Sequence, residues 1–191
     1  MNKIQQCSNG ACQEWPTQGE LKKNMNLLLE KLKNKLRGQS GEAHRYIVTS
    51  IKNEKGKLAP ADRFVQTGCG PNFQGDLITL CTCRPDLRSR HDPPGWAEKW
   101  IAGFTSKRLG SHYLFYLMKV SKAFQSQADI WKQLQPDVVN AKSVRKQTCG
   151  DLFEPILDRM ENKDDEWKPE NYHPDLVKGH VHANAWHRDI K

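Results

Sequence analysis

The stretch His112-Tyr-Leu-Phe-Tyr-Leu-Met-Lys-Val120 is apolar and rich in aromatic side chains, and its length suits one β-strand. Three earlier runs share this character and are separated by Gly, Pro and Asn residues: Arg45-Tyr-Ile-Val-Thr-Ser50, Asp76-Leu-Ile-Thr-Leu-Cys-Thr-Cys83 and Lys99-Trp-Ile-Ala-Gly-Phe104. Four strands with irregular loops predict an α+β fold. Its centre is expected to be a small, mostly antiparallel sheet or a partly closed β-barrel with peripheral helices.

Helical patterns lie on both sides of these strands. Leucine and methionine recur every three to four residues between about Glu20 and Arg37, which predicts a basic amphipathic helix. Ser121 is the expected cap of a second helix that reaches about Leu134. The apolar stripe of the first helix packs either on the domain or on a second copy of the chain. A homodimer through helix 20–37, and a role for this helix in protein interaction, are therefore both open.

The first helix also divides the chain into two predicted parts. Residues 1–44 are expected to form a flexible lead and the basic helix. Residues 45–191 are expected to form the α+β domain, which ends in a polar, His-rich tail. The start of the chain has one basic residue and no apolar core of a secretory signal, so we expect a cytoplasmic protein.

The charge of the chain is uneven. The 191 residues carry 30 Lys and Arg against 22 Asp and Glu, a formal net charge of +8. Ten of the basic residues lie within residues 21–60, whereas residues 150–175 are acidic. Such a division indicates a basic surface that can meet a polyanion, although both segments are equally compatible with ordinary solvated faces. The mean hydropathy of −0.80 and the lack of a long apolar run exclude a membrane-spanning segment. We expect no membrane partner, and the alternative of a basic helix lying on a membrane surface is disfavoured because its apolar stripe lacks Trp and Phe.

Standard enzyme signatures are missing from the sequence. It contains no phosphate-binding loop, dinucleotide fingerprint, zinc-protease motif or Gly-x-Ser-x-Gly elbow. Cys81 and Cys83 would share one face of the predicted strand, where they are either small core residues or, beside a cleft, a nucleophile or ligand. The tail histidines and Asp189 either form a metal site or are polar residues at a terminus. We expect no cofactor and assign no metal ligand.

Arginine and aromatic residues alternate around the Cys81 strand. Arg84 and Arg88 directly follow it, and Trp100 lies on the next predicted strand. Arginine supplies a planar fork for phosphate, and aromatic rings supply flat surfaces on which bases stack. The combination is typical of nucleic-acid or nucleotide binding, but a basic protein with aromatic core residues shows it as well.

The middle of the chain resembles a known family. The residues that carry the resemblance run from about Arg45 to Leu134, with a weaker echo at His187-Arg-Asp189: Tyr46-Ile-Val-Thr, Gly70-Pro-Asn-Phe-Gln-Gly75, Thr79-Leu-Cys-Thr-Cys-Arg-Pro-Asp-Leu-Arg88, Trp100-Ile-Ala-Gly103 and Leu114-Phe-Tyr-Leu-Met-Lys-Val120. In these segments the chain is similar to the second nucleotide modification associated domain family. Glu98-Lys99 departs from the Gly-Asp that precedes Trp in that family.

The resemblance implies a domain with a role in base modification or phage defence in bacteria and their viruses. It also implies a fold like the small PUA or EVE barrels that bind modified bases. Arg84 and Arg88 are then expected to hold phosphate, Asn72 to read a base edge through its amide, and Phe73 or Trp100 to stack on the base. The expected partner is a nucleic acid or a nucleotide.

An enzyme is the rival interpretation. In it Cys83 is the nucleophile, His187 is the general base and Asp189 orients the imidazole, and the substrate is a nucleotide or a modified base. The sequence leaves open which of the two interpretations holds.

Overall fold

A three-stranded sheet is the centre of the fold in the computed structural model, which describes residues 23–49, 51–53, 64–66, 71–81, 84–107, 110–143 and 152–173. The sheet is mixed, because its middle strand pairs in parallel with one neighbour and antiparallel with the other. A second sheet consists of two antiparallel strands, which lie in the sequence between the first and the middle strand of the main sheet. The five strands are β1 (Ala43–Val48), β2 (Ile51–Asn53), β3 (Phe64–Gln66), β4 (Trp100–Thr105) and β5 (Leu114–Lys119), with sheet orders β1-β4-β5 and β2-β3.

The helices are short, with four to eight residues each. The described residues contain four α-helices: α1 (Leu29–Leu36), α2 (Pro85–Arg88), α3 (Gln127–Gln133) and α4 (Pro136–Lys142). The predicted α+β class is confirmed, and the sheet is not closed into the barrel that was the alternative. Among the described residues, no helix has the length and apolar character that a bilayer crossing requires.

The predicted strand at residues 76–83 is wrong in its described part. A single antiparallel bridge joins Asn72 to Thr79, and a 3-10 turn lies between them at Gln74–Asp76. Gly75 (φ 71°) and Asp76 (φ 59°) both adopt left-handed backbone angles, which an extended strand excludes. The segment is therefore a compact loop, and α4 packs on it.

The helix boundaries also differ from the prediction. Lys23 is helical, residues 24–26 form a turn in which Asn26 has a φ of 52°, and helix α1 begins at Leu29. The second helix is capped by Ser126 rather than Ser121, since the Ser126 hydroxyl accepts a hydrogen bond from the Asp129 backbone at 3.1 Å. The left-handed backbone angles of Asn26 interrupt the first predicted helix, and the second helix begins five residues later than predicted, after Ser126.

One face of the sheet forms the main core. Tyr46 and Val48 of β1 are buried there, and the Tyr116 hydroxyl donates a hydrogen bond to the Tyr46 hydroxyl at 2.7 Å. Gly103 lies opposite both tyrosines in the register. A Cβ at Gly103 would lie 2.1 Å from Tyr116 Cε1, so only glycine leaves space for that ring.

Candidate functional site

A cleft of about 680 Å³ opens beside this core. One wall is α2 together with the 3-10 turn Pro94–Trp96, and the other is the segment that joins β5 to α3. The floor is apolar: Leu80, Leu87, Ile101, Met118 and Ile130. Polar side chains are added by both walls: Asp86, Arg88, Asp92, Gln125 and Ser126. A cavity of this size with an apolar floor and a few polar groups is typical of a small-molecule site.

Arg88 and Trp96 are joined within this cleft. The buried Trp96 ring lines it, and the indole N–H donates a hydrogen bond to the Arg88 backbone oxygen at 2.9 Å. This bond links the end of α2 to the following 3-10 turn. The structure therefore places Arg88, one of the two arginines predicted to hold phosphate, on the wall of the cleft.

Arg84 lies at the other end of α2. It adopts left-handed backbone angles (φ 58°), is exposed, and has its guanidinium 5.8 Å from the centre of the Tyr46 ring. A cation over an aromatic face at this distance is a favourable contact. The side chain of Arg84 thus extends over the Tyr46 ring and does not line the cleft.

Asn72 and Phe73 are packed into the protein. The Asn72 side-chain oxygen accepts hydrogen bonds from the Gln74 backbone at 2.9 Å and from Lys142 Nζ at 3.3 Å. The Phe73 ring makes edge contacts with Phe115 and Tyr116 at 5.7 and 5.8 Å between ring centres. Neither residue lines the cleft, and the base-reading roles given to them stay predictions.

Trp100 lies on the other face of the sheet. Successive side chains of a strand point to opposite faces of the sheet. The Trp100 side chain therefore points away from the face on which its neighbour Ile101 lines the cleft. Its indole N–H donates to the Ser40 backbone oxygen at 3.3 Å, and Lys119 Nζ lies 6.0 Å from the ring centre. Trp96 and Trp167 are the described tryptophans that line the cleft, whereas the sequence analysis assigned base stacking to Phe73 or Trp100.

Cys83, His187 and Asp189 lie outside the described residues, as do the tail histidines from His180 onward. The enzyme hypothesis built on them therefore stays a prediction. Cys81 is described, its side chain is buried, and its backbone oxygen accepts a hydrogen bond from the Gln127 side chain at 2.8 Å. Cys81 packs with Leu134 and Leu152 and also lines the cleft, so both alternatives for this residue stay open.

Glu166 fixes the far wall of the cleft. The Ser126 hydroxyl donates to one of its carboxylate oxygens at 2.6 Å, and Lys163 Nζ lies 2.6 Å from the same oxygen. Burial raises the pKa of this carboxyl, but the hydrogen bonds from Lys163 and Ser126 outweigh that effect, and the net pKa is lowered. The carboxylate thus holds the turn that carries Trp167, a cleft residue, against the start of α3.

We expect Glu166→Gln to lower the free energy of unfolding at neutral pH by about 1–3 kcal/mol, because charge-assisted hydrogen bonds are lost from a buried group. The folded pKa of Glu166 is lowered, so its contribution is present above the unfolded pKa and is lost as pH falls through the folded value. Urea unfolding of both proteins at neutral and acidic pH measures this. The difference between them should shrink in acid, and the exposed control Glu161→Gln should show little effect at either pH.

The family model described as nucleotide modification associated domain 2 matches residues 64–191, well over half of the chain. The chain belongs to this family. The resemblance inferred from the Thr79 to Arg88 segment is thereby confirmed, and with it a role associated with nucleotide modification. No curated protein and no solved structure matches the chain.

A second polar cluster joins a residue of the nucleotide modification associated domain to β1, which precedes the matched range. His91, inside the matched range, has its Nε2 3.2 Å from Nε2 of His44 on β1, and that same His44 atom lies 3.1 Å from a Glu42 carboxylate oxygen. Burial lowers the pKa of His44, although the Glu42 carboxylate opposes the shift. The feature of the sequence that points to this cluster is the Glu42-x-His44 spacing, because residues two apart in an extended segment have their side chains on the same side.

Proposed function

We propose that the chain binds a nucleobase or nucleotide in the cleft beside α2, as part of a nucleotide-modification process. The observation that carries the proposal is the position of Arg88 and Trp96 on one wall of a cavity of about 680 Å³. The family assignment supports the nucleotide chemistry, and the cleft supplies a place for it.

The lining of the cleft fits the two halves of such a ligand. An apolar floor that contains Ile101 and Met118 accepts the faces of a planar heterocycle, and half-buried Trp167 adds an aromatic surface. The Arg88 guanidinium carries the donors that pair with a phosphate in a fork. Asp86 and Asp92 on the same rim disfavour a long polyanion, so a single nucleotide or an extruded base is the preferred ligand.

The other arginine has a supporting role in this proposal. Arg84 is one helical turn before Arg88 and exposed, so a ligand that extends out of the cleft past α2 would meet it. In the same proposal Asn72 contributes only through its amide N–H groups, because its side-chain oxygen already accepts two hydrogen bonds. Phe73 and Trp100 stay candidates for base stacking from outside the cleft.

We expect the double variant Arg84→Ala, Arg88→Ala to bind nucleotides about tenfold or more weakly, since a hydrogen bond to a charged group contributes about 1.5–3 kcal/mol. Its salt dependence should also be flatter, because fewer phosphate contacts release fewer counterions. Calorimetric titration with the four deoxynucleoside monophosphates, the four ribonucleoside monophosphates and a single-stranded DNA oligonucleotide measures both quantities and separates the ligand classes.

A matched control removes the same amount of charge elsewhere. Arg37 and Arg45 are both exposed and do not line the cleft, so Arg37→Ala, Arg45→Ala lowers the net charge equally. It should leave mononucleotide affinity unchanged. Equal weakening in both double variants would mean that general electrostatics drives binding, and unchanged affinity in the first would remove the site assignment.

A homodimer through the N-terminal helix stays a prediction beside this proposal. The three apolar side chains Met25, Leu28 and Leu29 are 58, 71 and 64% exposed, and no residue of α1 is buried. An apolar face of this kind is compatible with self-association.

A further inference from the structure

The cluster of Glu42, His44 and His91 lies where the start of β1 meets the loop between α2 and β4. The ligating atoms of these three side chains all lie within 4.8 Å of one another. We propose that the cluster binds a divalent transition-metal cation, with zinc as the best fit. Two imidazole nitrogens and one carboxylate oxygen form a donor set that zinc takes in proteins.

The distances suit one shared cation. Zinc–nitrogen bonds of about 2.0–2.1 Å at a tetrahedral angle place two nitrogen ligands about 3.3 Å apart. The two histidine Nε2 atoms are 3.2 Å apart, and the His44 nitrogen is 3.1 Å from the Glu42 oxygen. A cation can therefore reach all three atoms with small adjustments of the side chains.

Both short contacts also meet at one atom, Nε2 of His44. If this nitrogen carries a proton, a single N–H is shared between the His91 nitrogen and the Glu42 oxygen. If it carries none, its lone pair faces the carboxylate oxygen, which is repulsive. A cation placed between the three groups uses every lone pair at once and removes this conflict.

The residues around the cluster hold it in place. Lys99 Nζ lies 2.5 Å from the second carboxylate oxygen of Glu42, which leaves the first oxygen directed at His44. The buried Trp96 ring makes edge contacts with both imidazoles, at 4.9 Å from His44 and 5.0 Å from His91 between ring centres. Contacts of this type orient metal ligands and limit solvent access.

Three protein ligands leave one position of a tetrahedral zinc for water or a bound anion. His91 also lines the cleft, so this position is close to the proposed ligand cavity. The metal site does not depend on nucleotide binding, because its argument rests on the cluster alone. The two proposals can therefore fail separately.

The test is calorimetric titration of the 191-residue chain with Zn²⁺ alone, without nucleotide. The cysteines and the other histidines give background binding, so the measured quantity is the loss of one site between wild type and variant. Loss of an outer-sphere partner alone costs about 10–100-fold in metal affinity, and we expect His91→Ala and Glu42→Gln each to weaken this site by about tenfold or more.

The control is His173→Asn, because His173 Nε2 also lies near a carboxylate, 3.9 Å from Glu154, but outside the cluster. Glu42 is exposed, so Glu42→Gln is expected to fold even if a histidine variant does not. Loss of one site in the Glu42 or His91 variant, with the His173 variant unchanged, supports the proposal. Wild-type zinc binding in folded Glu42→Gln and His91→Ala overturns it, as does an equal loss in His173→Asn.

Discussion

We expect Lys142→Met to lower the free energy of unfolding by about 3 kcal/mol or more, because it removes hydrogen bonds from a buried charged group. Lys142 is completely buried at the end of α4, and its Nζ donates to the Leu77 oxygen at 2.7 Å and to the Asn72 backbone oxygen at 3.0 Å. Methionine keeps the volume of the side chain but removes the donors. Each hydrogen bond from a charged donor contributes about 1.5–3 kcal/mol, and both are lost. The Asn72 oxygen still accepts a hydrogen bond from the Thr79 backbone at 3.0 Å, so the Leu77 oxygen is the acceptor that loses most.

Urea unfolding followed by far-UV circular dichroism measures this loss. Lys31→Met, at an exposed position of α1, is the matched control and should change stability by no more than about 0.5 kcal/mol. A Lys142→Met protein as stable as wild type would show that the loop at residues 71–81 holds its shape without the lysine.

Gly103→Ala is expected to destabilise the core by about 1–3 kcal/mol, and by more if the neighbouring strands cannot move. The added Cβ would lie 2.1 and 2.5 Å from two carbons of the Tyr116 ring and 2.8 Å from Val48 Cγ2. Both neighbours are buried, and the Tyr116 hydroxyl is tied to Tyr46. The ring therefore has little freedom to turn aside.

A double-mutant cycle separates this clash from other effects of alanine. In a Tyr116→Leu background the ring is absent, so the further cost of Gly103→Ala should be clearly smaller than in the wild type. Thermal unfolding of the four proteins gives the two costs. The same cost in both backgrounds would contradict the close approach of Tyr116 as its cause.

The strands that carry alternating or aromatic patterns were predictable from the sequence. The runs at Tyr46, Trp100 and Leu114 are strands β1, β4 and β5, and apolar side chains of these strands are buried in the core that they form together. The run at residues 76–83 has similar composition, yet its described part is a loop. Two features accompany this loop: Gly75 and Asp76 adopt left-handed backbone angles, and Lys142, 65 residues after Leu77, donates a hydrogen bond to the Leu77 oxygen.

The candidate site was predictable in part. The arginine pattern after Cys81 led to Arg88, which lies on the cleft, because arginines and aromatic residues cluster there in the sequence itself. The cluster at His44 and His91 was not predicted. These two residues are 47 positions apart, and they meet only through the parallel pairing of β1 with β4 and the loop that precedes β4.

The parallel pairing of β1 with β4 has a consequence for how the protein can be shortened. The family match starts at residue 64, but β1 ends at Val48 and supplies Tyr46 and Val48 to the core. A chain cut at the family boundary would turn the middle strand into an edge with unpaired backbone groups, which invites aggregation. The smallest piece that keeps this sheet intact therefore begins at or before Ala43, upstream of the boundary that family membership alone suggests.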